Sequence, residues 1–471
     1  MRGQARQDPA PVPGFPGRQP RLGRSRQPPI GGTEGVVEVT PPHSDRAPRR
    51  QTPVIIVGGG LAGLACAHRF AEAGVEFLLV EASDELGGRV RTDEQDGFLL
   101  DRGFQVFLSA YPEAGRRLDL EALDLRRFKP GALVFTKGRR HRLMDVFRAP
   151  RHALSTALQP IGSVRDKLRV GKLRWEMLRK PVEAIEAGED LTTAEYLRKR
   201  GFSEAMIDRF FRPFYGGIFL ERDLRTSSRM FEFTFKMFAR GFASIPEKGM
   251  QEIPRQLAAR LPAGSCRLNT PVRAVQQTGV TLADGERLAA ESVVVATDAG
   301  AAGELLPGGP EEERAWRSVA GLYFSAPRSP LNEAIIALNG DDGGLVNNVC
   351  ALSDVAPGYA PEGRALISVS VPGLPDFPDL AERVRAELRS WFGGEVDQWS
   401  HLRTDRIRRA LPEQSPALSP AESAGYRVHD GVFVCGDHCT SASIEGALVS
   451  GRRAAEAVLE TRKGNSSGRP A

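Results

Sequence analysis

The stretch Val54–Ser83, VIIVGGGLAGLACAHRFAEAGVEFLLVEAS, limits what this chain can fold into more than any other. Val54–Val57 is a β-branched run without a polar break, as expected of a buried parallel strand. Gly58, Gly60 and Gly63 follow with the spacing G-x-G-x-x-G. The first permits a tight turn, the second lets backbone approach a pyrophosphate, and the third lets the next helix pack close to the strand. That helix, about Leu61–Ala73, aims the unpaired N–H groups of its first residues, Leu61 and Ala62 among them, at phosphates. Phe77–Val80 reads as the second strand. Glu81 ends it about 20 residues past the glycines, where a carboxylate accepts hydrogen bonds from ribose hydroxyls. The spacing predicts a βαβ unit that holds an adenine dinucleotide. An ordinary βαβ turn is the bland alternative.

Charge excludes one competing class. The chain has a net charge of +5 and a pI near 9.0, which invites a nucleic-acid reading. Residues 1–50 alone contain nine Arg, no Lys and four acids. Removing them from the chain's 64 basic and 59 acidic residues leaves 55 of each. The basic pI therefore belongs to the leading segment and not to a binding face, and no nucleic-acid partner is expected. That segment has ten Pro and few large apolar residues, so a disordered tail is expected over 1–50, and another over 463–471. No run of 18 apolar residues occurs. Five scattered cysteines suggest a reducing, cytoplasmic setting without a disulfide framework, and no metal site is expected.

A second glycine turn, DELGGRVRT at Asp84–Thr92, follows Glu81 directly. Gly88 and Arg89 there suit a second anion-binding turn, with Arg89 reaching a pyrophosphate or a ring edge. At the other end, VFVCGDHCTSASIEGALVSGRRAAEA spans Val432–Ala457. It reads as a strand, then Gly436–Asp437, then a helix over Ser443–Glu460 that opens with Ile444, Glu445, Gly446 and Ala447.

With these motifs the chain resembles the FAD-binding amine oxidase superfamily, which includes phytoene-desaturase-type enzymes, protoporphyrinogen oxidases and flavin amine oxidases. The resemblance rests on Gly58–Gly63, Glu81, Gly87–Thr92, Asp101–Phe107 and Val432–Ala457, and weaker matches fall at Ser244–Leu261 and Asn269–Val275. It implies non-covalent FAD. It also implies that Asp437 meets a ribityl hydroxyl, that Val272 meets the adenine through its backbone, and that the helix start at Ile444–Ala447 faces the flavin pyrimidine. The implied fold is α/β: a Rossmann-type, GR2-like FAD-binding domain (51–135, 241–304 and 425–462) with a discontinuous α+β substrate-binding domain (136–240 and 305–424). The first and last motifs stand roughly 370 residues apart, which suits FAD better than a compact NAD unit. No second glycine fingerprint follows a strand, so an external electron acceptor is implied: oxygen, a quinone or a soluble carrier.

The substrate side is less distinct. Phe211, Phe214, Tyr215, Phe219, Phe231, Phe233, Phe235 and Phe238 suit an apolar tunnel or simply a core. His141–Lys180 holds ten Lys or Arg and three acids among apolar residues. It reads first as a solvated helix packed on its own domain, and second as a peripheral membrane contact. His438, beside Asp437, is the one candidate for proton transfer and reads equally well as a loop histidine.

The expected function is an FAD-dependent oxidoreductase of dehydrogenase or desaturase type. It would pass hydride from a hydrophobic substrate (isoprenoid, polyene or tetrapyrrole) to flavin N5. A flavin amine oxidase is the alternative. Against it, Val319–Ala326 has no lysine and 380–420 has no cysteine for a flavin tether. A lipid-binding escort protein of the GDP-dissociation-inhibitor type is the remote reading, and the Gly436–Asp437 and Ile444–Ala447 motifs speak against it.

Overall fold

The computed structural model describes residues 52–306, 316–416 and 426–467. The expected tail over 1–50 lies outside them.

β1 (Thr52–Val57) pairs in parallel with β2 (Phe77–Val80) on one side and with Arg287–Val295 on the other. Cys266–Arg267 extends the sheet beyond β2, and Val432–Val434 joins it beside Arg287–Val295, both in parallel. Val54, Ile55 and Ile56 have no exposed surface, because layers cover both faces of the sheet. Val54 and Ile56 share a core with α1 (Leu61–Glu72) and the C-terminal helix Ile444–Ser467, while Ile55 and Val57 pack with Val280, Val293 and Val295. The chain thus places its first and last motifs in one layer through strand pairing. The α/β expectation holds.

A second, seven-stranded sheet runs in the order Ser400–Pro412, Trp316–Ala326, Ala365–Pro372, Asn348–Ala351, Ile336–Asn339, Gly131–Thr136 and Arg139–Met144. Period-two alternation divides its side chains between two layers. Leu133 and Phe135 pack with Val384 and Leu388 of the helix Leu380–Phe392. Ala132 and Val134 pack instead with Leu173, Met177, Phe211 and Phe231 of a helical lobe. Tyr323 ties the second sheet to a separate two-stranded ribbon, Thr92–Gln95 with Phe98–Asp101: its hydroxyl donates to the Asp101 carbonyl at 2.6 Å, and Tyr359 donates to Asp101 Oδ2 at 2.8 Å.

Two boundaries differ from the sequence reading. The seam expected at 135/136 falls inside a hairpin, because Gly131–Thr136 pairs in parallel with Ile336–Asn339 in the second sheet. Local pattern cannot reveal a partner that lies 200 residues away. The C-terminal helix continues through Ser467, so residues 463–467, expected in a disordered tail, are helical. Among the described residues no helix is long and apolar enough to cross a membrane.

Candidate active site

A cavity of about 1190 Å³ opens where the parallel strands end. Gly58 and Gly60 after β1, Glu81 after β2, Ala296–Asp298, and Gly436–Asp437 all line it. This is the carboxyl edge at which open α/β sheets take ligands. Its volume exceeds the roughly 300–1,000 Å³ of a single small-molecule pocket, which leaves room for a cofactor and a substrate together.

The glycine turn is shaped for close approach. Gly58 has φ +106°, and a side chain there would meet the Ala296 carbonyl. A Cβ on Gly60 would meet no protein atom within 4 Å, so that position faces open cavity. Leu61 and Ala62, the first residues of α1, line the same space. Glu81 is held by three donors: Gly59 N–H to Oε2 at 2.6 Å, and Ser83 N–H and Oγ–H to Oε1 at 2.9 and 2.8 Å. These bonds orient a carboxylate that lines the cavity.

The second turn is stitched to the first. Gly87 N–H donates to the Gly59 carbonyl at 2.8 Å, and Gly88, at φ +61°, would bring a Cβ to 3.2 Å from Gly60 Cα. Arg89 projects from this turn toward the C-terminal motif. Its Nη2 donates to Asp437 Oδ1 at 2.6 Å and its Nη1 to the Ala410 carbonyl at 2.9 Å. Burial favours a neutral guanidinium, but the Asp437 charge and hydrogen bond, with the Asp298 charge, together outweigh it and hold the Arg89 pKa above its usual value. The Asp437 side chain is 5% exposed, while that of Arg89 is 37% exposed and faces the cavity.

Gly436 N–H donates to Ser450 Oγ at 2.9 Å. Gly446 N–H is capped by Ser443 Oγ at 2.9 Å, and a side chain on Gly446 would overlap the Ser441 carbonyl. The start of the C-terminal helix is therefore seated on the 440–441 loop, with Ile444 and Ala447 on the cavity wall. Glu445 pins this helix from the other side by accepting from Glu113 N–H at 2.7 Å and Ala114 N–H at 3.1 Å.

Four expected site residues are not among the lining residues. Gly63 lies beneath the turn against Gly58, and Gly446 lies against Ser441. Val272 begins a strand just past Thr270, whose N–H donates to the Glu81 carbonyl at 2.8 Å. His438 is buried, its ring against Gly436, and does not reach the cavity wall.

The aromatic set divides. Phe211, Phe214, Tyr215, Phe235 and Phe238 line the cavity, joined by Phe210, while Phe219, Phe231 and Phe233 do not. Phe210 and Phe211 belong to a π-turn, Ile207–Phe211, that leads into the helix Arg212–Phe219. Sequence reasoning missed Tyr111, which lines the cavity and stacks on Phe233 at 6.2 Å and 8°. Burial, with the Glu445 charge nearby, pushes its phenol pKa up, so Tyr111 is a neutral wall.

The donor set fits an adenine dinucleotide, with residues of both the glycine turn and the C-terminal motif on one lining. A side-chain-free floor at Gly60, an oriented carboxylate at Glu81 and a helix start at Ile444–Ala447 share one cavity.

The chain is similar in sequence and fold to known proteins. Residues 61–459 match the family model described as flavin containing amine oxidoreductase. A coproporphyrinogen III oxidase of Propionibacterium freudenreichii is 27% identical, over 80% of this chain and 87% of its own. A 15-cis-phytoene desaturase of Synechococcus elongatus is 23% identical, over 88% and 98%. The crystal structure of wild-type putrescine oxidase bound to putrescine shares the fold, with a TM-score of 0.63 and 17% identity over 87% of this chain and 99% of that one.

Proposed function

The chain belongs to the flavin containing amine oxidoreductase family, and from that premise we propose that it oxidises a hydrophobic substrate of the polyene or tetrapyrrole kind at a C–H bond. It is an FAD-dependent oxidoreductase. The substrate class is supported by one observation above others: the aromatic wall of Phe210, Phe211, Phe214, Phe235 and Phe238 shares a single cavity with the glycine turn. A flat or extended apolar molecule is held in such a wall by area, with few polar contacts.

Gly60, Gly88 and Glu81 would hold the adenosine and pyrophosphate, and Asp437, Ile444 and Ala447 the flavin half. When bound, FAD supplies the two-electron acceptor for hydride leaving a substrate carbon. The chain's own contribution is placement and dryness. Arg89 is tied to Asp437, which holds the Asp437 side chain in position. The N-terminus of the helix Ile444–Ser467 offers positive dipole where negative charge develops on reduction. The aromatic wall excludes water, and the proton released with each oxidation leaves to solvent. An external acceptor (oxygen, a quinone or a soluble carrier) takes the electrons onward.

The reading extends to a membrane surface. Phe147, Leu154, Leu158, Val164, Leu168 and Trp175 make up six of the nine large hydrophobic side chains exposed among the described residues, all within one stretch. Arg151, Arg165, Lys172 and Arg179 are exposed among them. Apolar and basic side chains together favour an anionic lipid interface. The helix Val164–Arg179 also buries Leu173 and Met177 in its own lobe. Packed-helix and lipid-facing readings thus apply to two faces of one element.

Anaerobic addition of reduced substrates to the flavoprotein tests the function. Bleaching of the flavin band by a porphyrinogen or a hydrogenated polyene is the expected result. Bleaching by amines alone would give the amine-oxidase reading instead.

A further inference from the structure

The cavity wall built from residues 145–174 carries charge that the oxidation just described does not use. Arg148, Lys167 and Arg174 line it with one local carboxylate, Asp145. The other carboxylates on the lining (Glu81, Asp298 and Asp437) follow the parallel strands. Asp145 is shared, with its Oδ2 at 3.2 Å from Arg174 Nη1 and 3.7 Å from Arg148 Nε. Arg148 Nη2 donates to the Ala239 carbonyl at 3.0 Å. Lys167 Nζ is held by the carbonyls of Ala157 and Gln159 at 3.0 and 2.7 Å. Two arginines thus share one lining carboxylate, and Lys167 lines the same wall held by carbonyls. Burial, and then the like charge of Arg174, lowers the Arg148 pKa, while burial lowers that of Lys167. Both shifts run in the direction that burial gives a cation, against the raising charges of Asp145 and Asp166.

Holding recessed cations without full compensation costs stability unless an anion completes the set. Guanidinium groups favour planar oxyanions, and carboxylates above all. The arrangement is also wrong for an amine substrate, whose ammonium it would repel. We propose that Arg148, Arg174 and Lys167 bind a carboxylate of the substrate, which is therefore an apolar conjugated body bearing at least one acid group. The assignment rests on the reading of this cavity as the hydrophobic-substrate site. Both a polyene acid and a carboxylated tetrapyrrole satisfy it.

The test uses oxidised holoenzyme and matched acid and ester probes: protoporphyrin with its dimethyl ester, and retinoic acid with methyl retinoate. Binding is read from perturbation of the flavin band. One acid of the two pairs should bind about tenfold or more tightly than its ester, the scale of a charge-assisted hydrogen bond. The pair that shows the preference identifies the body. The preference should fall toward unity in the Arg148→Gln/Arg174→Gln double variant, with bound flavin as the folding control. Lys167→Gln, which leaves Asp145 paired, serves if the double variant loses flavin, and it should reduce the preference in part. Equal binding of acid and ester to the parent protein overturns the proposal, as does a preference unchanged in the variants. An unchanged preference with lost binding to phosphatidylglycerol vesicles assigns the cluster to lipid and overturns it too. If no probe in either form perturbs the flavin, the hydrophobic-substrate reading itself fails.

Discussion

Arg89 and Asp437, 348 residues apart in sequence, meet through an Nη2–Oδ1 hydrogen bond of 2.6 Å on the wall of the cavity. The bond joins the second glycine turn to the C-terminal motif, so the two halves of the site are set relative to each other by a charged pair. Removing one partner of a buried pair costs about 3–5 kcal/mol. Arg89 is partly exposed to the cavity, which places Asp437→Ala toward the low end. The expected outcome is loss of tenfold or more in FAD affinity, measured by flavin fluorescence titration. Asp437→Glu should recover part of it.

Gly451 separates structural from ligand-facing glycines. It lies where the C-terminal helix crosses α1, and a side chain there would overlap the Ala62 carbonyl. Gly451→Ala should destabilise the fold by about 1–3 kcal/mol, as overpacking does. Thermal unfolding measures it, and a melting temperature equal to the parent's would contradict the close crossing.

Asp101 gives the fold a pH dependence. It is buried, and burial pushes its pKa up to about 6 despite hydrogen bonds from Thr92, Met250 N–H and Tyr359. A carboxyl whose folded pKa is raised favours folding while both states are protonated. That contribution is lost as pH rises from about 4 through about 6, and it amounts to about 3 kcal/mol. Asp101→Asn should flatten this part of the stability profile in denaturant titrations. A profile that keeps its slope in the variant would assign the dependence to other groups.

The exposed apolar surface predicts lipid binding that can be separated from catalysis. Leu158 and Leu168 are 75% and 70% exposed, and each buries about 1.5–3 kcal/mol of apolar surface if it enters a bilayer. The Leu158→Ser/Leu168→Ser variant should bind anionic vesicles more than tenfold less well in flotation assays, with flavin content unchanged. Equal flotation of variant and parent would reject the contact.

The ends of the site were legible and its middle was not, for physical reasons. Gly58, Gly60, Glu81 and the Ile444–Ala447 helix start are short-range devices, and each announces its chemistry through spacing. Their meeting was inferable because both follow parallel strands. The Arg89–Asp437 pair was not, because a side-chain bond across 348 residues leaves no local trace, and each residue was instead expected to reach the cofactor alone. The expected seam at 135/136 cut through the strand Gly131–Thr136 for the same reason, since its parallel partner Ile336–Asn339 lies far along the chain. His438 has the right neighbour in sequence and the wrong direction in space. Of the phenylalanines, composition found the set, but only packing could separate Phe235 and Phe238 on the cavity from Phe231 in the core.

The central claim is that one FAD site is shared by the two ends of the chain. Flavin stoichiometry tests it most directly, in the parent protein and in two variants that fill opposite halves of the cavity, Gly60→Val and Ala447→Trp. A Cβ at Gly60 points into open space, and Ala447 lies on the lining, so both variants should fold. The account predicts about one FAD per chain in the parent, released intact by acid precipitation, and less than about a tenth of that in each variant. Full flavin occupancy in either variant would contradict it.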